Sequence, residues 1–183
     1  IRNLMGRISA DYSVREEGTI YERYWSHRDD VVLGINEGWY VGPKAVAGYY
    51  KALDDEINLG AKCVEKDFPD KISELPEDQK RGLGAISYIP LDSQVIEIAD
   101  DGKTAKGLFN IRGSYNKITV SGPIAYWLFG WAAVDFIMED GEFKIWHMQW
   151  LRNVDVQCGT PFGVEPEKFP EIEAYAEMAS FQM

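Results

Sequence analysis

Three residues carry side chains suited to acid–base chemistry: Asp135, His147 and Glu37. Asp135 lies inside the run AYWLFGWAAVDFIMED. A carboxyl among apolar groups has its charged form desolvated, so its pKa rises. A neutral acid at pH 7 can donate to a developing oxyanion or act as general acid. The competing reading is a sheet salt bridge from Asp135 to Arg112, Arg152 or Lys144. His147, in GEFKIWHMQWLRN, is a candidate general base near neutral pH. Its plainer reading is a hydrogen-bonded strand histidine in a core or an interface. Glu37 is a candidate second acid–base group. His27 ends a helical stretch, where it complements the helix C-terminus.

The element that must position these groups is a hairpin. Asp140-Gly141 stands between two apolar runs, a strong short-range turn signal. With those two residues as the loop, Glu139 pairs with Glu142. Asp135 then lies opposite Trp146, and Trp131 opposite Trp150. This face also carries Trp127 and Phe129, and the hairpin is the expected wall of a small-molecule pocket. His147 falls on the other face with Phe143, Ile145 and Gln149, unless a bulge reverses the assignment. Both faces are apolar, so both need a cover. Helices cover one, and a second subunit is the expected cover for the other, giving a homodimer or higher homo-oligomer.

Upstream, residues 1 to 27 read helical from the spacing of Leu4, Met5 and Ile8 and of Ile20, Tyr21, Tyr24 and Trp25. Ser13 to Glu16 matches a capping box, so a second helix starts near 14; one long helix with Gly18 as a soft spot is the alternative. Residues 31 to 41 form two short extended pieces. Gly42-Pro43 opens a helix whose stripe is Val46, Tyr49, Tyr50, Leu53 and Ile57. Residues 58–91 are expected as an irregular insertion, since Pro69, Pro76 and Pro90 punctuate a charged stretch. Strands follow at 94 to 99 and 103 to 112 around Asp101-Gly102, then a polar connection from Gly113 to Pro123. Helices first and antiparallel strands after make an α+β fold. One domain is expected over 1–158, with a C-terminal tail at 159–183.

Composition narrows the partners. The 183 residues carry a net charge of −11, from 30 acidic and 19 basic side chains. That disfavours nucleic acid and anionic membranes. Six Trp, ten Tyr and eight Phe exceed the needs of a small core, and a pocket or an interface can use the surplus. Cys63 and Cys158 make no disulfide framework, and a cytoplasmic location is the default expectation. There is no HxH, HExxH or Cys/His cluster and no phosphate-cradling glycine loop, so no metal and no cofactor is expected.

The combination of Asp29-Asp30-Val31-x-Leu33, Gly42-x-x-Ala45 opening a helix, Val134-Asp135-Phe136-Ile137, Glu139-Asp140-Gly141-Glu142 and Trp146-His147 resembles the SnoaL-like branch of the nuclear transport factor 2-like superfamily. The resemblance covers about residues 1 to 155. It implies a cone-shaped, curved antiparallel sheet wrapped on N-terminal helices, a deep pocket and frequent dimers. It also implies a position for Asp135 like that of the strand aspartate with which steroid isomerases donate to an oxyanion, and a position for Tyr12 near their first-helix tyrosine. One departure stands out. Those enzymes carry a carboxylate base on the strand after the first helices, where this chain has Ile35, with Glu37 two residues away. Tyr24, Trp25, Tyr40, Tyr50, Trp131, Trp146 and Trp150 are the further candidates for binding a small hydrophobic or aromatic ligand. Two outcomes stay open: cofactor-independent cyclase, isomerase or dehydratase chemistry on an apolar, oxygenated molecule, or a non-catalytic ligand-binding or dimeric interaction domain.

Overall fold

The computed structural model describes residues 1–36, 38–80, 82–119 and 122–159. Glu37 and the expected tail from 160 onward lie outside the described residues. Helices come first: α1 (Arg2–Ser13), a single 3-10 turn (Glu17–Thr19) and α2 (Ile20–Tyr24). A short hairpin, β1 (Val32–Ile35) and β2 (Gly38–Val41), leads into α3 (Pro43–Asp67), with Pro43 at its first turn. Two single-turn helices follow, α4 (Pro69–Ser73) and α5 (Glu77–Lys80). Then come β3 (Ser87–Tyr88), β4 (Leu91–Ile98), β5 (Thr104–Thr119), β6 (Gly122–Glu139) and β7 (Glu142–Gln157).

The strands form one curved, open sheet in the order β2-β1-β7-β6-β5-β3, with β4 also paired to β5. Every pairing is antiparallel except β1 with β7, which is parallel. That exception follows from chain path. β1 is not joined to β7 by a turn but arrives from helices on one face.

Three expectations need correction. Residues 58 to 67 continue α3 instead of opening an irregular insertion, because no proline interrupts the chain before Pro69 and Lys62, Glu65 and Lys66 are good helix formers. The capping box at Ser13 starts no helix; Val14 and Arg15 close α1, and Arg15 has φ +63°. The stretch from Gly113 to Pro123 is mostly strand, since β5 runs on to Thr119 and β6 begins at Gly122.

The core lies between the helices and the concave face of the sheet. Met5, Ile8, Tyr12, Ile20, Trp25, Val46 and Tyr50 pack against Leu33, Phe109, Ile111, Leu128, Val134, Phe136, Ile145 and Met148, all buried. Each fully buried Ile or Leu among them contributes about 1.5–3 kcal/mol relative to exposure. The α3 stripe works as its spacing predicts: Val46, Tyr50 and Ile57 are buried, and Tyr49 and Leu53 half-buried.

Candidate functional site

The β6–β7 hairpin begins as its turn dictates. Asp140 and Gly141 both have positive φ, the pattern of a type I′ turn. Glu139 pairs with Glu142, and the register holds to Phe136 with Ile145. There β7 gains one residue. Trp146 is the extra residue of a β-bulge, and Asp135 pairs with His147. A slip of one residue exchanges faces. From the bulge on, Met148 and Trp150 turn inward opposite Val134 and Ala132. A second irregularity follows between Phe129 and Gly130, where a Cβ on Gly130 would land on the Leu151 carbonyl oxygen. Asn36 clasps this point: its Nδ2 donates to the Arg152 carbonyl at 2.9 Å, and the Arg152 N–H donates to Asn36 Oδ1 at 3.1 Å.

The expected cavity wall of Asp135, Trp131, Trp146 and Trp150 is therefore corrected. Only Trp150 faces the helices. Along β6 the buried residues are Leu128, Gly130, Ala132, Val134 and Phe136, so Trp127, Phe129, Trp131 and Asp135 point outward. Trp131 is 39% exposed. Asp135 and His147, expected on opposite faces, share the outer one and are hydrogen-bonded.

On the inner face the sheet and helices enclose a cavity of about 330 Å³. Its apolar wall includes Ile35, Leu53, Ile89, Leu128 and Trp150. Four tyrosines from four elements join it: Tyr12 from α1, Tyr40 from β2, Tyr49 from α3 and Tyr115 from β5. Tyr12 is 4% exposed and meets the edge of Trp150 at 5.6 Å between ring centres. Burial holds its hydroxyl well above the usual phenol range, reinforced by Tyr50, Tyr49 and Glu17. Tyr50 and Trp25 stand behind Tyr12 instead of lining the cavity. The Trp25 indole N–H donates to the Tyr50 hydroxyl at 3.2 Å, and Tyr50 adds to the rise at Tyr12. Burial raises Tyr50 above its ordinary value too. Tyr24 is buried elsewhere, under the Arg23 guanidinium, with its hydroxyl pushed up to about 12 by burial and by Asp11.

Two ion pairs border the cavity. Arg15 Nη1 meets Glu17 Oε1 at 2.9 Å, and Arg152 Nη1 meets Asp155 Oδ2 at 2.7 Å. Both arginines and Glu17 line the cavity. Arg15 reaches it from a left-handed backbone conformation, which is uncommon for a side chain of that size. Tyr115 donates to Asp155 Oδ1 at 2.6 Å. Its hydroxyl is raised, first by burial and then by that bond.

The outer cluster is built differently. His147 Nδ1 lies 3.1 Å from Asp135 Oδ2, and Nε2 lies 3.1 Å from the Asp30 carbonyl oxygen. Both partners are acceptors, so only a doubly protonated ring donates at both nitrogens. The Trp146 ring stacks on His147 at 4.4 Å, and Arg28 lies over Trp146. Arg28 also binds Asp30 through two hydrogen bonds of 2.9 and 3.1 Å, and holds its carboxyl down at about 2. With a partner at each nitrogen, the His147 ring is held by the fold on the outer face and not directed at the cavity. The cluster fastens the segment before β1 to β7, where Val32 pairs with His147.

The candidate residues thus divide. Tyr12, Tyr40 and Trp150 come together at the cavity, Tyr50 and Trp25 support it, and Asp135, His147, Trp131 and Trp146 stand outside it. Sequence reasoning missed Arg15, Glu17, Ser87, Tyr115, Arg152 and Asp155. One signal was available. The alternation Ala105, Gly107, Phe109, Ile111, Gly113, Tyr115 puts Tyr115 on the inner face once β5 is allowed to continue. Among the described residues, no group of three or more His, Cys, Asp or Glu side chains is placed to hold a metal ion, and no helix is long and apolar enough to cross a membrane.

No family model matches the chain, and no curated protein matches it in sequence. Solved structures do match. Hexachlorocyclohexane dehydrochlorinase LinA type 2 superposes with a TM-score of 0.56 at 16% identity, covering 92% of this chain and 92% of that one. The type 3 enzyme from Novosphingobium barchaimii LL02 gives 0.53 at 14%, over 90% and 92% of the two chains. The Kfla4162 protein from Kribbella flavida gives 0.57 at 10%, over 84% and 88%. Identities this low speak for the fold alone. That fold is α+β, with helices packed on a curved, open sheet, as the sequence led one to expect.

Proposed function

We propose that the protein binds an apolar, oxygenated small molecule in the cavity on the concave face, with Tyr12 as the hydrogen-bond donor to a ligand oxygen. The observation that carries this reading is the Tyr12 hydroxyl, a cavity-lining donor on a residue only 4% exposed and kept protonated by burial. An indole N–H only donates, so the Tyr50 oxygen behind Tyr12 already accepts from Trp25. With an acceptor in the cavity, the Tyr12 proton then points to the ligand. Because burial keeps Tyr12 protonated, it serves as donor and not as base. The size and mostly apolar lining suit a small ring system. The test is calorimetric titration with 1-tetralone, a bicyclic aryl ketone. The wild type should bind, and Tyr12→Phe should bind about tenfold more weakly. Equal affinities would remove Tyr12 from the role.

One observation favours chemistry in the same cavity. Glu17 is a cavity-lining carboxylate only 2% exposed, the sort of group that abstracts a proton when its partner moves. In the folded protein Arg15 holds it, so binding is the better-supported reading. Base-catalysed exchange of the ketone's α-protons into D2O separates the two. Exchange that disappears in Glu17→Gln would make the site catalytic.

The outward face supports self-association. Trp127, Phe129, Trp131 and Leu151 make an exposed apolar row on adjacent strands, with Trp127 and Phe129 stacked. The occupant proposed is a second copy, because the row itself is apolar and uncharged and Asp135, the carboxylate beside it, is already bound to His147. Sedimentation should give a dimer mass for the wild type and a monomer mass for Trp131→Glu; a monomeric wild type would overturn this.

A further inference from the structure

Ser87 has a buried hydroxyl that the fold does not explain. The residue is 6% exposed and lines the cavity, and its Oγ has no hydrogen-bond partner among the described residues. A buried hydroxyl left unpaired destabilises a fold, and alanine would pack in its place without that cost. Its position is rigidly set. Ser87 pairs with Tyr115 and Tyr88 with Ser114. Gly113 lacks the Cβ that would collide with the Tyr88 carbonyl, and Ser9 Oγ donates to the Ile89 carbonyl at 3.1 Å. The strand therefore holds an unsatisfied donor and acceptor against a cavity that already has one donor at Tyr12.

The charged neighbours indicate what the ligand lacks. Arg15 and Arg152 both face the cavity, yet each is paired with a carboxylate less exposed than itself, Glu17 and Asp155. A ligand carboxylate beside either guanidinium would also meet the carboxylate already there, and like charges at close range disfavour each other. Lys117, the third cation on the wall, is exposed and lies over the Tyr126 ring at 4.8 Å. Tyr115 gives its proton to Asp155, so towards a ligand its oxygen can only accept. Beside these ion pairs the wall presents neutral donors and acceptors at Ser87, Tyr12 and Tyr115.

We infer that Ser87 is a specificity-determining residue of the cavity, selecting an uncharged ligand that carries a second oxygen substituent over analogues lacking it and over carboxylates. This rests on the cavity being a ligand site, as proposed above, and adds the class of ligand. A site built to hydrogen-bond a hydroxyl rejects the analogue without one, because its buried polar atom is then left unpaired.

Calorimetric titration with three probes tests it: 6-hydroxy-1-tetralone, 1-tetralone, and the 6-carboxylate of 1-tetralone. The wild type should bind the hydroxyketone about tenfold more tightly than the ketone, and the carboxylate most weakly. In Ser87→Ala the tenfold advantage should vanish while the affinity for 1-tetralone stays within about twofold. That retained binding also shows that the variant is folded. Ser87→Thr, which keeps the hydroxyl, should keep the preference. An alanine variant that still prefers the hydroxyketone overturns the role of Ser87. A carboxylate that binds best overturns the uncharged class. A wild type that binds none of the three overturns the cavity reading itself, and this inference with it.

Discussion

The two faces of the β6–β7 hairpin make opposite use of their polar residues. On the outer face, Asp135 and His147 form the pair that chemistry would favour, yet His147 has an acceptor at each nitrogen and acts as a clamp. On the inner face stand tyrosines and a serine that look ordinary in sequence, lining a cavity whose Ser87 hydroxyl has no partner among the described residues. The contrast lies in His147, which has a partner at each nitrogen, since Asp135 Oδ1 on the outer face is itself unpaired among the described residues. The clamp is also what the bulge at Trp146 produces, since the extra residue brings His147 across from Asp135.

The comparison can be broken most severely through packing. Phe136 is fully buried on the inner face, whereas Phe129 on the outer face is 37% exposed. Phe136→Ala should destabilise the protein by about 3–5 kcal/mol, and Phe129→Ala by about 0.5 kcal/mol or less at protein concentrations where it is monomeric. Chemical denaturation measures both, and similar losses would mean that the faces are misassigned. Next in size is the clamp. Asp135→Asn or His147→Gln should lower stability by about 1–2 kcal/mol, as for a partly buried hydrogen bond to a charged group. Both should leave titrations with 1-tetralone unchanged.

The pH limits sharpen the same contrast. On the inner face, Tyr12 and Tyr50 are raised above the phenol value by burial. Their contribution is fully present below the unfolded value near pH 10 and is lost as pH rises beyond it towards the folded values. Absorbance at 295 nm should therefore show part of the tyrosine titrating only together with alkaline unfolding; a smooth titration of all ten near pH 10 would contradict this. On the outer face, Arg28 lowers Asp30 to about 2. That contribution is present above the unfolded aspartate value near 4 and is lost as pH falls through about 2. The pair is half exposed, so the effect is the smallest of the set. Asp30→Asn should remove a small part of the acid-side dependence and leave the alkaline limit untouched.

Much of this was legible in the residues. Asp140-Gly141 gave the turn and the first four pairs of the hairpin, because local turn chemistry fixes register nearby. Val46, Tyr50 and Ile57 marked the buried face of α3 by spacing alone. The fold followed from segment order. The site was less legible because its wall depends on one unpaired residue. Nothing in FKIWHMQW marks Trp146 as a bulge, since inward and outward residues there are all large or apolar. Ser87 is a single polar residue between Ile86 and Tyr88 in a two-residue strand, too short for a period to show. Arg15 and Glu17 meet through a backbone turn that the capping-box pattern at Ser13 concealed.

The central claim is that ligand recognition belongs to the inner face and not to the Asp135–His147 face. Parallel calorimetric titrations of 1-tetralone into the wild type, Tyr12→Phe and Asp135→Asn test it most directly. The account predicts an affinity about tenfold weaker for Tyr12→Phe and one within about twofold of the wild type for Asp135→Asn. Loss of binding in Asp135→Asn with Tyr12→Phe unaffected would contradict it.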